Sequence, residues 1–269
     1  AITAISKQCR IKVQAHNNAS VWDESNANFE IKGQVDLTYP DLQSTKWFYN
    51  EPAEIRWTPT GNYSQVLIEY STDNFETATA IVQTDAGSSG VPQTFNWGSV
   101  AIPCSDTVKV RITDPNSPTV TDQSTENFSV RGRLTLNVPN GPETWKVGIQ
   151  QFISWATNGN IPNVKLYYSK DGGAFTAITG TAIANSSPYP WNIPDQISDS
   201  VLVKVTDAAH DTDTDVDDVS DSAFKIVAGI TITSPVGALP EAWIVGSTQN
   251  ITWNTNGTIP QVAIYYSDD

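Results

Sequence analysis

Residues 134–173 read LTLNVPNGPETWKVGIQQFISWATNGNIPNVKLYYSKDGG, and residues 230–269 read ITITSPVGALPEAWIVGSTQNITWNTNGTIPQVAIYYSDD. A more divergent copy runs from 35 to 73 as VDLTYPDLQSTKWFYNEPAEIRWTPTGNYSQVLIEYSTD. Trp47, Trp145 and Trp243 stand 98 residues apart, as do Trp57, Trp155 and Trp253. Gly61, Gly159 and Gly257 keep the same offset, and so do Tyr70, Tyr168 and Tyr266. A fixed period of this length predicts a tandem array of one small domain.

The other half of the unit recurs as well. SDTVKVRITDPNSPTVTDQSTENFSVRG at 105–132 matches SDSVLVKVTDAAHDTDTDVDDVSDSAFKIVAG at 198–229, and CRIKVQAHNNASVWDESNANFEIKG at 9–33 is a third copy. The chain therefore divides into the C-terminal half of a repeat at 1–33, whole repeats at 34–132 and 133–229, and the N-terminal half of a repeat at 230–269. Gly33, Gly132 and Gly229 mark the joints, and none carries a Pro/Gly/Ser-rich tether, which predicts limited bending. Asp269 is equivalent to Asp171 and Ala1 to about Ile193. The expectation is a window on a longer repeat protein, with completion of the half-repeats by neighbouring chains as the alternative. An isolated half-sandwich leaves apolar faces and strand edges uncovered.

Within a repeat the periodicity is that of strands. Val108, Val110 and Ile112 alternate with Lys109 and Arg111, and Val201, Val203 and Val205 alternate likewise. IRW, ISW and ITW, and VLIEY, VKLYY and VAIYY, are rich in the β-branched and aromatic residues that strands favour. Asn-Gly and Asp-Gly pairs and prolines separate them. About seven short strands per repeat and no helical period predict an all-β fold, a tandem of β-sandwiches of about 97 residues. Asn50, Gly148 and Gly246 align, and the two residue types share a tolerance of positive φ, so a left-handed turn is expected there.

These residues resemble immunoglobulin-like or fibronectin-III-like repeats of large secreted bacterial and archaeal surface proteins. They are also similar to the domain of the Ser/Thr-rich, GPI-anchored cell-wall family of yeasts. The pattern is Pro139, Glu143 to Gly148, Ile153 to Trp155, Gly159 and Tyr168 to Gly173, then Trp191 to Pro194, Val203 to Asp207 and Ser220 to Ile226. The first repeat departs from it, with Thr45 in place of the Glu and Phe75-Glu76 in place of the glycines. The resemblance implies an extracellular setting and a role as spacer or adhesive module.

Composition narrows the partners. Fifteen basic and 29 acidic residues give a net charge of −14, which repels nucleic-acid backbones and anionic lipid. No apolar run approaches the roughly 20 residues of a membrane helix. No signal peptide is visible and residue 1 is Ala, so the sequence reads as a mature or excised segment.

Each candidate for chemistry has a plain counterpart. Eight of nine tryptophans recur in register, which reads as sandwich core rather than a stack of sugar platforms; Trp22, in a polar loop, is the exception. Asp207, Asp211, Asp213, Asp215 and Asp217 form the one charged cluster, either a solvated acidic loop or a calcium site. It is not an EF-hand: counting from Asp211, Val216 and Ser222 stand where Gly and Glu belong. Ser169 to Gly173 resembles the Asp-box hairpin of sialidase propellers, yet an Asp-Gly turn needs no catalytic role. His16 and His210 sit in non-equivalent loops, and no catalytic triad or phosphate loop is present, so an enzyme is not expected. Cys9 and Cys104 are compatible with free thiols or with one bridge. Of six Asn-x-Ser/Thr sequons, Asn185 is the candidate glycan acceptor.

The sequence thus predicts a structural extracellular repeat protein, a spacer, stalk or fibre segment at a cell surface. Its expected partners are neighbouring repeats of the same or adjacent chains. The alternative is a carbohydrate-binding or adhesive module with cell-surface polysaccharide as partner. No cofactor other than calcium is expected.

Overall fold

The computed structural model describes residues 5–237 and 242–267, which form two compact units, Ala1–Gly132 and Arg133–Asp269. The first unit opens with β1 (Ser6–Cys9), β2 (Lys12–Ala15), β3 (Asn18–Glu24) and β4 (Phe29–Ile31), in which β1 pairs with β4 and β2 with β3. A complete sandwich follows: β5 (Gln34–Tyr39), β6 (Lys46–Phe48), β7 (Ala53–Thr60), β8 (Gln65–Ser71), β9 (Thr79–Asp85), β10 (Gln93–Trp97), β11 (Ser105–Thr113), β12 (Thr121–Gln123) and β13 (Phe128–Arg131). One sheet has the order β10-β7-β5, the other β6-β13-β11-β8-β9 with β12 alongside β11.

The second unit repeats the plan with β14 (Arg133–Val138), β15 (Thr144–Lys146), β16 (Gln150–Asn158), β17 (Asn163–Lys170), β18 (Thr176–Ala177), β19 (Ile183–Ala184), β20 (Tyr189–Asn192), β21 (Ser198–Asp207), β22 (Asp217–Val219) and β23 (Phe224–Val227). Its sheets run β14-β16-β20 and β15-β23-β21-β17-β18, with β19 on β17 and β22 on β21. The pair β24 (Gly229–Ser234) and β25 (Thr252–Asn256) closes the chain. No helix occurs among the described residues. The fold is all-β, a tandem of immunoglobulin-like β-sandwiches.

Alternation does the sorting. Val108, Val110 and Ile112 of β11, and Val201, Val203 and Val205 of β21, are completely buried, while Lys109 and Arg111 point to the other face. Each core is pinned by one aromatic cluster. Trp47 meets Trp97 edge-on at 6.1 Å and Phe128 at 4.6 Å between ring centroids. In the second domain Trp145 meets Trp191 at 6.0 Å and Phe224 at 4.7 Å. Edge-on pairing sets the positive ring edge against the negative face. The other two buried indoles each satisfy their N–H: Trp57 Nε1 donates to the Ala86 carbonyl at 3.1 Å, Trp155 Nε1 to Asn185 Oδ1 at 2.7 Å.

Asn50, Gly148 and Gly246 have φ of 64°, 77° and 84°, the left-handed turn the alignment predicts. In the complete domains this turn hands consecutive amides to two strands' ends: Tyr49 N and Asn50 N donate to Arg131 and Val100 carbonyls, Val147 N and Gly148 N to those of Val227 and Ile193. The recurring glycine after β7 and β25 also has positive φ, 100° at Gly61 and 86° at Gly257, and is close to its neighbours as well. A Cβ on Gly61 would lie 3.0 Å from Ile5, and one on Gly257 would lie 3.0 Å from Val147. Beside it, Thr258 donates through its N–H and its hydroxyl to Asp195 at 2.9 and 2.6 Å. These hydrogen bonds hold the Asp195 carboxyl below its ordinary range.

Two expectations fail in residues 230–267, for one reason. Trp243, equivalent to Trp47 and Trp145, is 44% exposed. The VAIYY segment at 262–266 forms no strand, although VLIEY lies in β8 and VKLYY in β17. β8 and β17 pair with β11 and β21, whereas no described residue pairs with 262–266. The short edge strands β12, β18, β19 and β22 also exceed the seven expected per repeat.

Phe224→Ala removes the ring beneath Trp145 and leaves a cavity. It is expected to cost the second domain about 3–5 kcal/mol. Denaturant unfolding followed domain by domain checks this: the second transition falls and the first stays in place.

Candidate functional site

The acidic loop after β21 does not gather its carboxylates. Asp207 is buried, faces His210 Nδ1 at 2.8 Å and accepts the Ala209 N–H at 3.0 Å. Asp211 Oδ2 accepts from Lys165 Nζ and from the Tyr167 hydroxyl, each at 2.7 Å. Burial pushes the Asp211 carboxyl up, but those two hydrogen bonds and the charges of Lys165 and Lys204 outweigh it, and the net direction is down. Asp213 accepts the Asp215 N–H at 3.2 Å. Asp217 lies 3.6 Å from Lys204 Nζ; burial raises its carboxyl, and Lys204 only partly offsets that. Among the described residues no three His, Cys, Asp or Glu side chains converge as a metal group would. The loop is laced to the outer face of β17 and β21 through Asp211 and Asp217.

Asp218, next in the same run, does a job that its spelling hides. Its Oδ2 accepts the Leu136 N–H at 2.6 Å, and in the first domain Asp122 Oδ2 accepts the Leu37 N–H at 2.7 Å. Two residues on, Ser220 Oγ accepts from Val203 N at 3.0 Å and donates to the Pro139 carbonyl at 2.8 Å. Ser124 accepts from Val110 N at 3.0 Å, and Ser25 from Ile11 N at 3.2 Å. Asp-x-Ser thus recurs at 23–25, 122–124 and 218–220. In both complete domains it ties one sheet to the first strand of the other. The recurrence was readable in the repeat alignment.

Asn185 holds the indole of Trp155 through Oδ1, while its Nδ2 donates to Thr157 Oγ1 at 3.0 Å and the Ile161 carbonyl at 2.8 Å. The nitrogen that would carry a glycan is thus engaged twice. Trp22 is 52% exposed, with Lys12 Nζ 4.4 Å from its ring centroid, so an ammonium covers one face. In the Ser169 hairpin Asp171 accepts from Ser198 Oγ, not from nearby amides. Asp73, its equivalent, accepts from Ser71 Oγ, Thr77 Oγ1 and Thr77 N, and these bonds hold it down to about 2. His16 is exposed. Cys9 and Cys104 are thiols and share no disulfide.

No protein-family model matches the chain, and no curated protein does. Among solved structures, the fibronectin(III)-like modules of Clostridium thermocellum CbhA are 13% identical, covering 72% of this chain and 93% of that one, with a TM-score of 0.23. The N-terminal four Ig domains of Dscam1 are 9% identical over 77% of this chain and 51% of that one, with a TM-score of 0.37. A tandem of titin Ig domains is 11% identical over 73% and 99%, with a TM-score of 0.29. Likenesses this loose say nothing of function.

Two outcomes are expected. Asn185→Ala orphans the buried Trp155 indole and destabilises the second domain by about 1–3 kcal/mol in thermal unfolding, with the first domain unmoved. Because Lys165 and Tyr167 occupy Asp211, calcium added to the chain is expected to leave the second transition unchanged. A calcium-dependent rise in that transition, lost in Asp211→Asn, would show that the loop rearranges around the ion.

Proposed function

We propose that the chain is a structural extracellular repeat protein, a spacer, stalk or fibre segment that works through the mechanics of its domains. One observation carries the reading: β6 runs parallel to β13 and β15 parallel to β23, pairing Trp47 with Val130 and Trp145 with Ile226. The early strand and the last strand of each domain are thus parallel neighbours. The chain enters at one end of a domain and leaves at the other, as an extended element requires. Tension on the two ends slides these strands along each other, so their hydrogen bonds share the load and must break together. Ser129 N to Thr45 O at 3.1 Å and Tyr49 N to Arg131 O at 2.8 Å are two such bonds, and Lys225 N to Glu143 O and Val147 N to Val227 O repeat them at 2.9 and 3.0 Å.

The repetition itself agrees. What the two domains share is the aromatic core, the Asp-x-Ser tie and this parallel ladder. What they do not share is surface chemistry, since the acidic loop belongs to the second domain alone. A chain under selection for a common ligand would repeat its ligand-binding residues. The adhesive reading rests on Trp22, one of whose ring faces Lys12 occupies. Neighbouring repeats are the partners this reading calls for, and a cell surface is its natural setting.

Pulling single molecules by their ends tests it. Two force peaks are expected, each releasing roughly 300 Å of chain, since about 97 residues extend at ~3.3–3.6 Å each, less the folded length. Lys225→Pro, which deletes one ladder donor, is expected to weaken only one peak. Extension without resolved peaks would count against a load-bearing role.

A further inference from the structure

We propose that the cleft between residues 5–33 and the first domain binds a divalent cation, calcium, with Asp114 as its buried anchor. A load-bearing segment needs no ion, so the inference stands apart from the function proposed above.

The two complete domains complete one buried aspartate differently. Asp114, just after β11, and Asp207, the last residue of β21, are equivalent, and they are 5% and 6% exposed. In each, Oδ1 accepts the amide two residues on, Asn116 N at 2.9 Å and Ala209 N at 3.0 Å. In each, the carbonyl accepts the amide three residues on, from Ser117 and from His210, both at 3.1 Å. The second oxygens part company. Asp207 Oδ2 meets the His210 ring at 2.8 Å. Ser117 stands in the place of His210 and brings no ring, and Asp114 Oδ2 has no hydrogen-bond partner among the described residues. A buried carboxylate oxygen is costly unless a donor or a cation reaches it.

What surrounds that oxygen is more oxygen. Asp114, Asn116 and Ser117, with Asn62 and Ser64 from the turn before β8 and Glu30 from β4, line a cleft of about 360 Å³. Carboxylate, carboxamide and hydroxyl groups without Cys or His make the donor set of a hard cation, and calcium takes six to eight such ligands. Glu30 lies 3.3 Å from Lys32 on the surface, and an exposed pair of that kind holds its carboxylate only weakly. Lys7 also lines the cleft, but it is exposed, and its flexible stem lets the ammonium withdraw into water. The local field agrees: burial, and then the charge on Asp114, push the Tyr63 hydroxyl of the same wall up to about 12. The lining comes from both sides of Gly33, so a bound ion also ties residues 5–33 to the first domain.

Calcium chloride added to the full chain during thermal unfolding tests this, with sodium chloride of equal ionic strength as the reference. The transition of the first domain is expected to rise by several degrees at about 10 mM calcium, ten or more times the dissociation constant of weak extracellular sites, while the second stays in place. Two variants should lose the rise. Asp114→Asn keeps an oxygen to cap the loop and removes the charge. Ser117→His supplies the ring that Asp207 has, and without calcium it should unfold no lower than the unaltered chain, which separates lost binding from lost folding. A rise no larger than that with sodium chloride, or one that survives in either variant, would overturn the proposal.

Discussion

Two sheets become a domain here only by closing on each other over a cluster of rings. Trp145 comes from a strand that pairs with β23, Phe224 from β23 itself, and Trp191 from the edge of the opposite sheet. The cluster therefore exists only when both sheets are present. The first domain solves the same problem with Trp47, Phe128 and Trp97 to within 0.1 Å in the two ring separations. Around this closure the remaining features fall into place. The left-handed turn at Asn50 or Gly148 delivers amides to the neighbouring strand ends, the Asp-x-Ser tie fixes the first strand, and the parallel ladder sets where the chain enters and leaves.

Residues 262–266 show how much a strand depends on its partner. VKLYY and VAIYY are nearly the same sequence, yet one lies in an inner strand and the other forms none. β-propensity reports how well a residue suits a pleated, half-buried surface, so it yields a strand only where a partner provides that surface. An isolated two-stranded pair is marginal for the same reason. Apolar side chains at 11, 13, 230, 232 and 264 face water.

How much of this was legible in the sequence depended on whether the deciding residues recur. The period, the sandwich class, the inward valines of β11 and β21 and the left-handed residue at 50, 148 and 246 all follow from aligned positions, because a buried or strained site admits few residue types. Trp243 and VAIYY misled because sequence periodicity records what a segment does in a whole domain, not whether its partner strand is at hand. The acidic run at 207–218 drew attention by charge density, which says nothing of direction; only coordinates separate Asp211, held outward by Lys165 and Tyr167, from Asp218, turned inward to Leu136. Asp-x-Ser recurs three times, but its residue types are common in loops and carry little signal on their own. Asn185 drew notice as part of a sequon, while its hydrogen bond to Trp155 spans 30 residues and leaves no local signature.

Hydrogen exchange tests the central claim, that the VKLYY and VAIYY sequence becomes a strand only where a partner strand lies beside it. The chain to examine is the unaltered one, in which residues 262–266 pair with no strand. Amides at 164–168 should be strongly protected and those at 262–266 should exchange at nearly the rate of an open chain. Equal protection of the two segments would contradict the account, because it would mean that the local sequence makes the strand without a partner strand.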